Sequence, residues 1–182
     1  MSTNVPNKFI NRPNKIVLHH SSASLSKSMD QTKAINDYHK FLWNDKSNLG
    51  MYGGYHLTID GYGKITRYRN DDEIGLHCIG ANSDSIGVCL QCDGNIEMPT
   101  KGQIASLIDI LREYNLPVFF HREIQLNRTC PGALITREWF ENIKNVKIKY
   151  TPRQLELQKR VEQISLLNKL LEQLKSLLKK YV

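Results

Sequence analysis

The pattern of apolar and polar positions predicts a strand near the start of the chain, followed by a helix. The strand covers residues 16–20, where the alternation turns His19 and His20 toward opposite faces. The helix covers about residues 30–43, because four side chains recur at three- and four-residue intervals: Ile35, Tyr38, His39 and Leu42. We interpret His39 as a core histidine on the buried face of this helix, and not as a catalytic group.

Strands and helices continue to alternate along the rest of the first 150 residues. The further predicted strands cover residues 55–59, 64–69, 85–92 and 118–120. Asp60-Gly61 is a turn signal that joins the first two as a hairpin. Thr100 and Thr136 open helices, and Thr100 has the capping-box glutamine three residues later. The pattern predicts an α/β fold with a central mixed β-sheet flanked by helices.

Two predicted elements between residues 118 and 131 carry residues that could bind a metal or take part in catalysis. Residues 118–120 have the short apolar pattern of a buried central strand, which delivers His121 at its end. Residues 122–131 are predicted to be a loop that carries Cys130. Because His19 also ends a strand, the sequence places two histidines at strand ends.

A different pattern begins after Thr151-Pro152. Leucine, valine and isoleucine side chains recur at three- and four-residue spacing and predict an amphipathic helix over residues 152–182. Seven basic and three acidic residues give this segment a charge of +4, out of +7 for the whole chain. We therefore divide the chain into a domain over residues 1–150 and a basic helical tail over 152–182. The tail is expected to bind an anionic membrane, to self-associate, or to dock on its own domain.

Composition narrows the classes of protein that fit the sequence. The chain has 182 residues, 40% of them hydrophobic and 24% charged, which suits one globular domain with an appendage. No apolar run approaches the roughly 18 residues of a membrane span, and no secretory signal is recognised. We therefore expect synthesis in the cytoplasm without a signal peptide. The positive charge favours anionic partners such as nucleic acid, acidic membrane lipid or the bacterial wall, and it does not choose among them. Of these we expect the wall or a membrane, and no nucleic-acid partner.

The four cysteines are expected to be reduced. They are Cys78, Cys89, Cys92 and Cys130. Cys89 and Cys92 form a CxxC pair without a second pair, inside a strand-like pattern, so we interpret them as small buried residues and not as a zinc knuckle. Cys130 differs because it follows His121 by nine residues. Two imidazoles, from His19 or His20 and His121, and one thiolate match a catalytic zinc site, in which water takes the fourth position.

Four stretches of the sequence follow one another as they do in the zinc-dependent N-acetylmuramoyl-L-alanine amidases, and the chain resembles that family. It is similar to phage lysozymes of the amidase type and to animal peptidoglycan recognition proteins. The stretches are IVLHHSSA (16–23), GGYHLTIDGYGKITRYR (53–69), IGLHCIGANSDSIGVCL (74–90) and HREIQLNRTCPG (121–132). The resemblance covers about residues 15–143, which is nearly all of the chain before the tail. Four ordered motifs are also more specific than any one of them.

The resemblance implies roles for seven residues. His19, His121 and Cys130 match the zinc ligands of the family, so residues 1–150 would form a zinc amidase domain. Tyr55 matches the catalytic tyrosine, which orients or deprotonates the attacking water. Arg128 stands where relatives usually have Lys or Thr, and its guanidinium would stabilise the oxyanion. His77 and Asn82 match substrate-groove residues, although Asn82 is equally a turn former.

The activity implied is hydrolysis of the amide between the lactyl group of N-acetylmuramic acid and L-alanine in peptidoglycan. Zn²⁺ would be the cofactor, and the setting would be phage lysis, in which the enzyme acts on the cell wall after release from the cytoplasm. A non-catalytic peptidoglycan-binding recognition module is the alternative, and complete ligand positions favour catalysis over it. A polymerase-binding regulator is a third hypothesis, which rests on analogy with phage lysozymes alone.

Overall fold

The computed structural model describes residues 10–145 and six separate positions of the C-terminal region: Gln163, Leu167, Leu170, Leu171, Leu174 and Lys175. The chain divides into two units, residues 1–145 and 146–182. In the second unit, the six described positions are helical and exposed. The bounds predicted for the tail otherwise lie outside the described residues. Among the described residues, no helix has both the length and the apolar composition needed to cross a bilayer.

Residues 10–145, the described part of the first unit, contain five strands interleaved with four helices. The strands are β1 (Lys15–His20), β2 (Leu57–Ile59), β3 (Ile65–Arg67), β4 (Ser85–Leu90) and β5 (Val118–Phe120). The helices are α1 (Thr32–Trp43), α2 (Lys101–Tyr114), α3 (His121–Ile124) and α4 (Arg137–Lys144). The predicted order of elements is confirmed, and so is the α/β class.

The strands form one mixed sheet in the order β3-β2-β4-β1-β5. β1 pairs in parallel with both β4 and β5, and β2 pairs in parallel with β4. β2 and β3 form the predicted antiparallel hairpin. The prediction of a central position for residues 118–120 was wrong, because β5 pairs only with β1 and lies at the edge of the sheet. An apolar triplet fits this edge because Phe120 alone is fully buried, against Phe140 of α4.

The two faces of the sheet have different compositions. One face contributes Ile16, Leu18, Ile86, Val88 and Leu90 to the main core, with side chains from α2 and α4 packed over them. Thr100 begins α2 with the predicted capping box, and Thr136 caps α4 through the Trp139 amide. On the opposite face the alternation places His19 in register with Cys89. The apolar face therefore anchors β1, while polar side chains occupy the other face.

Two local predictions need correction. In α1 only Ile35 and His39 are buried, whereas Tyr38 is 60% and Leu42 44% exposed. The helical spacing was right, but Tyr38 and Leu42 lie beside the face of α1 that packs on the domain, so the buried face is narrower than the four residues. The predicted loop over 122–131 begins as the helical turn α3, which starts at His121 itself.

Candidate active site

Three side chains from distant parts of the sequence meet at one end of the sheet. The nitrogen and sulfur atoms that His19, His121 and Cys130 offer as ligands all lie within 4.8 Å of one another. His19 is the second-last residue of β1 and His121 follows β5, and the carboxyl ends of neighbouring parallel strands lie at the same edge of a sheet. The His19 Nδ1 atom is 3.6 Å from Cys130 Sγ. The cluster contains the donor atoms typical of a catalytic zinc site with one open position.

His20 is turned away from this cluster, as the strand alternation predicted. Its Nδ1 atom accepts a hydrogen bond of 2.9 Å from the Gly94 amide, and Ser22 Oγ lies 3.0 Å from its Nε2 atom. The His20 backbone amide donates to Cys130 Sγ at 3.4 Å. His20 therefore contributes a backbone donor to the cluster, while its ring anchors a neighbouring loop.

Burial controls the protonation of the cluster. It lowers the pKa of His19 well below its ordinary value, with further lowering by the adjacent His77 and His121. It also lowers the pKa of His121, so both rings are neutral near pH 7 and have lone pairs for a metal. Burial raises the pKa of the Cys130 thiol to about 12, opposed by the His20 amide, Arg122 and Arg128. A bound dication would lower the pKa of Cys130 and favour the thiolate over the thiol.

Arg122 holds the loop that carries Cys130, a role that the sequence analysis did not assign. Its guanidinium donates to the carbonyl oxygens of Thr129, Gly132 and Ile135 at 2.7 to 3.2 Å. Its backbone amide donates to the Cys130 carbonyl at 2.9 Å. The feature of the sequence that could have drawn attention to Arg122 was its position in the HR dipeptide at 121–122, directly after a candidate ligand.

The loop that carries Cys130 also packs closely against the backbone of Gly94. A Cβ atom on Gly94 would lie 2.1 Å from the Pro131 carbonyl oxygen. Gly132, which adopts a φ of +105°, would bring a Cβ to 2.2 Å from the Gly94 carbonyl carbon. The Leu134 amide donates to the Gly94 carbonyl at 2.9 Å. Cys130 is therefore placed by backbone packing that leaves no space for side chains at these two positions.

Tyr55 lies beside the cluster, just before β2. Its ring centroid is 5.1 Å from that of His19 and 5.3 Å from that of His39. Burial raises the pKa of the Tyr55 phenol well above its ordinary value, and the neighbouring Cys89 thiol, which hydrogen-bonds the hydroxyl, adds to the shift. The phenol is therefore protonated at neutral pH. His39 is buried and accepts a hydrogen bond of 2.8 Å from the Gly54 amide, which confirms its interpretation as a core histidine.

Arg128 is exposed at the rim of the cluster. Its positive charge lowers the pKa values of both His121 and Cys130. Its backbone amide donates to the Gln125 carbonyl at 3.0 Å, which closes the turn before Cys130. The guanidinium is thus near the candidate ligands and accessible from solvent.

The side chains of His77 and Asn82 make contacts within the domain, and their predicted substrate-binding role stays a prediction. His77 is 8% exposed, and its Nδ1 atom lies 3.1 Å from His19 Nε2, behind the cluster. Its ring is held there because Gly75 and Gly87 leave a space that a Cβ atom on either residue would close. Asn82 uses its side-chain oxygen to accept from the His77 and Cys78 amides, both at 2.8 Å. For Asn82 the turn-forming alternative therefore describes the geometry.

Comparisons with known proteins agree with this fold. A family model described as N-acetylmuramoyl-L-alanine amidase matches residues 10–133. The endolysin of Klebsiella phage KP32 is 33% identical over 98 residues, which are 49% of this chain and 65% of that protein. The endolysin of Escherichia phage T7 is 28% identical over 133 residues, which are 68% of this chain and 83% of that protein.

Solved structures extend the comparison. The N-acetylmuramoyl-L-alanine amidase LysC from Clostridium intestinale URNW is 30% identical with a TM-score of 0.60, over 75% of this chain and 88% of that one. Drosophila PGRP-LB shares the fold with a TM-score of 0.60 at 21% identity, over 79% of this chain and 91% of that one. The family model covers more than half of the chain, which confirms the family and the enzyme class predicted from the sequence motifs. The chain therefore belongs to the N-acetylmuramoyl-L-alanine amidase family.

Proposed function

We propose that this protein is a zinc-dependent endolysin that hydrolyses the lactyl to L-alanine amide bond of peptidoglycan. The observation that carries the proposal is the cluster of His19, His121 and Cys130, whose ligand atoms lie within 4.8 Å of one another. Two neutral imidazoles and one thiolate suit Zn²⁺ and leave a coordination position for water or substrate. When bound, Zn²⁺ supplies Lewis acidity, which polarises an amide carbonyl and lowers the pKa of water to about 7.

Tyr55 and Arg128 supply the remaining groups of the proposed mechanism. The phenol of Tyr55 is protonated at neutral pH, so we propose that it orients the water or the reacting carbonyl as a hydrogen-bond donor. Its hydroxyl would exchange the Cys89 thiol for that partner when substrate binds. As a phenolate beside a bound cation it would instead deprotonate the water. Arg128 is exposed beside His121 and Cys130, so its guanidinium can reach an oxyanion that forms at the open side of the cluster.

The setting and the tail are parts of the same proposal. We propose peptidoglycan as the partner and phage lysis as the setting, with the enzyme acting on the cell wall after release. We also propose that residues 1–150 form the catalytic domain and that residues 152–182 form a basic amphipathic helix. That helix would bind an anionic membrane or a second copy of the chain. The exposed leucines at positions 167, 170, 171 and 174 of the second unit support this role.

The decisive experiment digests purified cell wall and measures the products by mass spectrometry. The wild type should release L-alanine N-termini, and Cys130→Ser should not. Metal analysis of the same samples should give near-stoichiometric zinc in the wild type and a loss in Cys130→Ser and His121→Ala. Cys89→Ser and Cys92→Ser are matched controls that should keep zinc. Wall binding without new N-termini would support the recognition-module alternative, and full zinc retention in both ligand variants would exclude the site.

A further inference from the structure

The ring of His19 has a second contact on the side away from Cys130. Its Nε2 atom lies 3.1 Å from His77 Nδ1. The other nitrogen of His77, Nε2, lies 3.5 Å from Ser85 Oγ, and the Ser85 hydroxyl hydrogen-bonds the Ala81 carbonyl oxygen. These contacts form one continuous chain from a candidate metal ligand to the backbone. We call it the His19–Ala81 chain.

The direction of every hydrogen bond in this chain follows from its last member. A carbonyl oxygen only accepts, so Ser85 donates its single hydroxyl proton to Ala81. Ser85 can then offer only a lone pair to His77, so a hydrogen bond across this long 3.5 Å contact requires the proton on His77 Nε2. In a neutral ring the Nδ1 atom of His77 is therefore an acceptor, and His19 donates to it from Nε2. The Nδ1 atom of His19, 3.6 Å from Cys130 Sγ, is left with its lone pair.

The position of the His77 ring is fixed by close packing. A Cβ atom on Gly87 would lie 2.5 Å from His77 Cδ2, and one on Gly75 would lie 2.4 Å from the same atom. Gly87 is in the middle of β4, where glycine weakens a strand and often marks a close approach. The packing of His77 against this position gives the glycine a structural reason.

We propose that His77 is a positioning residue for the zinc ligand His19. The His19–Ala81 chain holds His19 in the tautomer that is protonated at Nε2 and directs the Nδ1 lone pair at the metal. The proposal rests on the proposed zinc site. His121 has a more local partner, because the side-chain oxygen of Gln125, four residues later, accepts a hydrogen bond from its Nε2 atom at 2.5 Å.

Zinc affinity tests the proposal, measured by competition with a chelator. His77→Leu removes the acceptor at similar volume and should weaken zinc binding by roughly 10- to 100-fold, the usual effect of losing such a partner. His77→Asn keeps an acceptor oxygen near the Nδ1 position and should restore most of the affinity. His39→Leu is the matched control, because His39 is equally buried and outside the chain, and it should bind zinc like the wild type. Equal losses in His77→Leu and His77→Asn, or no loss in His77→Leu, would overturn the proposal.

Nuclear magnetic resonance separates this proposal from the zinc site itself. Long-range ¹H–¹⁵N spectra of the metal-free wild type should show His19 protonated at Nε2 and unprotonated at Nδ1. A His19 ring protonated at Nδ1 would overturn the positioning role even if the protein binds zinc. A wild type that takes up no zinc would instead exclude the proposed cofactor, and the tautomer of the metal-free protein would still decide the direction of the chain.

Discussion

The phenol of Tyr55 is the side chain whose role depends most on a single proton. Because a phenol is protonated at neutral pH and burial raises its pKa further, its expected contribution is a hydrogen bond that strengthens as charge develops on the substrate. Tyr55→Phe should therefore keep zinc and lose roughly 100-fold or more in the rate of amide cleavage. Single-turnover digestion of soluble wall fragments measures the rate, and metal analysis of the same sample is the control. A phenylalanine variant with full activity would remove Tyr55 from the mechanism.

Arg128 makes its contribution through an exposed positive charge. Arg128→Ala should lower the rate by about 10- to 1,000-fold if the guanidinium stabilises the oxyanion, and Arg128→Lys should be milder because it keeps the charge. Arg122→Lys provides a contrast, since Arg122 holds the Cys130 loop and its loss should reduce zinc content as well as rate. Digestion of wall by Arg128→Ala at the wild-type rate would assign the oxyanion contact to another group.

The sequence predicted individual residues well where a local pattern was decisive. Strand alternation predicted that His19 and His20 face opposite sides of the sheet, and they do. The choice of His19 as the candidate ligand came from the family resemblance and stays a prediction. The surroundings of His77 were not predictable in this way. They depend on Gly87 and Ser85 of β4, which reach the ring only through tertiary packing. The role of Arg122 was also missed, because it depends on how the following loop folds back to bring three carbonyl oxygens to the guanidinium.

At the scale of elements, the loop around Cys130 depends on its contact with the turn after β4. Gly94→Ala would place a Cβ atom 2.1 Å from the Pro131 carbonyl, so one segment must move. We expect a loss of about 1–3 kcal/mol in the free energy of unfolding and weaker zinc binding. Urea unfolding and chelator competition measure the two effects.

Gly50→Ala is the control for that experiment. Gly50 has a φ of +82°, and an added Cβ would meet only the flexible Lys46 Cε atom at an ordinary 3.8 Å among the described residues, so alanine adds backbone strain alone. It should lower stability and leave zinc affinity unchanged. Equal zinc affinity in Gly94→Ala and the wild type would show that the two segments move without disturbing Cys130.

Element types were easier to predict than element positions. The capping box at Thr100 and the hairpin at Asp60-Gly61 are encoded by neighbouring residues, and both were confirmed. The edge position of β5 was not, because an apolar triplet fits a central strand and an edge strand covered by α4 equally well. The exposed side of α1 was missed because periodicity shows which residues share a face and not how much of that face is covered.

At the scale of the whole molecule, buried histidines make stability depend on pH. Burial lowers the pKa of His39 and of His56 from 6.5 to about 4. Between pH 6.5 and 4 the unfolded chain binds protons that the folded chain does not. The contribution of these histidines to the free energy of unfolding is therefore complete above pH 6.5 and is lost as the pH falls toward 4. Each group adds a slope of up to about 1.4 kcal/mol per pH unit. Urea unfolding of chelator-treated protein between pH 7 and 5 measures the total slope.

His39→Asn isolates one of these contributions. Asparagine keeps an acceptor for the Gly54 amide but has no titrating ring. The slope of the unfolding free energy against pH should therefore decrease by up to about 1.4 kcal/mol per pH unit, which corresponds to one proton fewer taken up on unfolding. An unchanged slope would mean that His39 titrates alike in the folded and unfolded chains.

Truncation after Tyr150 tests the division of the chain into a catalytic domain and a tail. The shortened protein should stay folded and cleave soluble wall fragments normally. It should lose salt-sensitive binding to anionic vesicles, or its oligomeric mass, because the leucine face and the basic residues are removed together. Full-length protein with Leu167→Gln and Leu174→Gln is the matched control, since it keeps the charges. Unfolding of the truncated protein would instead make the tail part of the catalytic core.

The place of β1 in the sheet has a consequence for synthesis on the ribosome. This first strand lies between β4 and β5, and its partners are Ser85 for Lys15 and Val118 for Ile16, 70 and 102 positions later in the chain. A nascent chain therefore exposes β1 with both edges unpaired until most of the domain has left the exit tunnel. Folding must wait for that moment, and an incomplete product of translation lacks any assembled wall-cleaving centre.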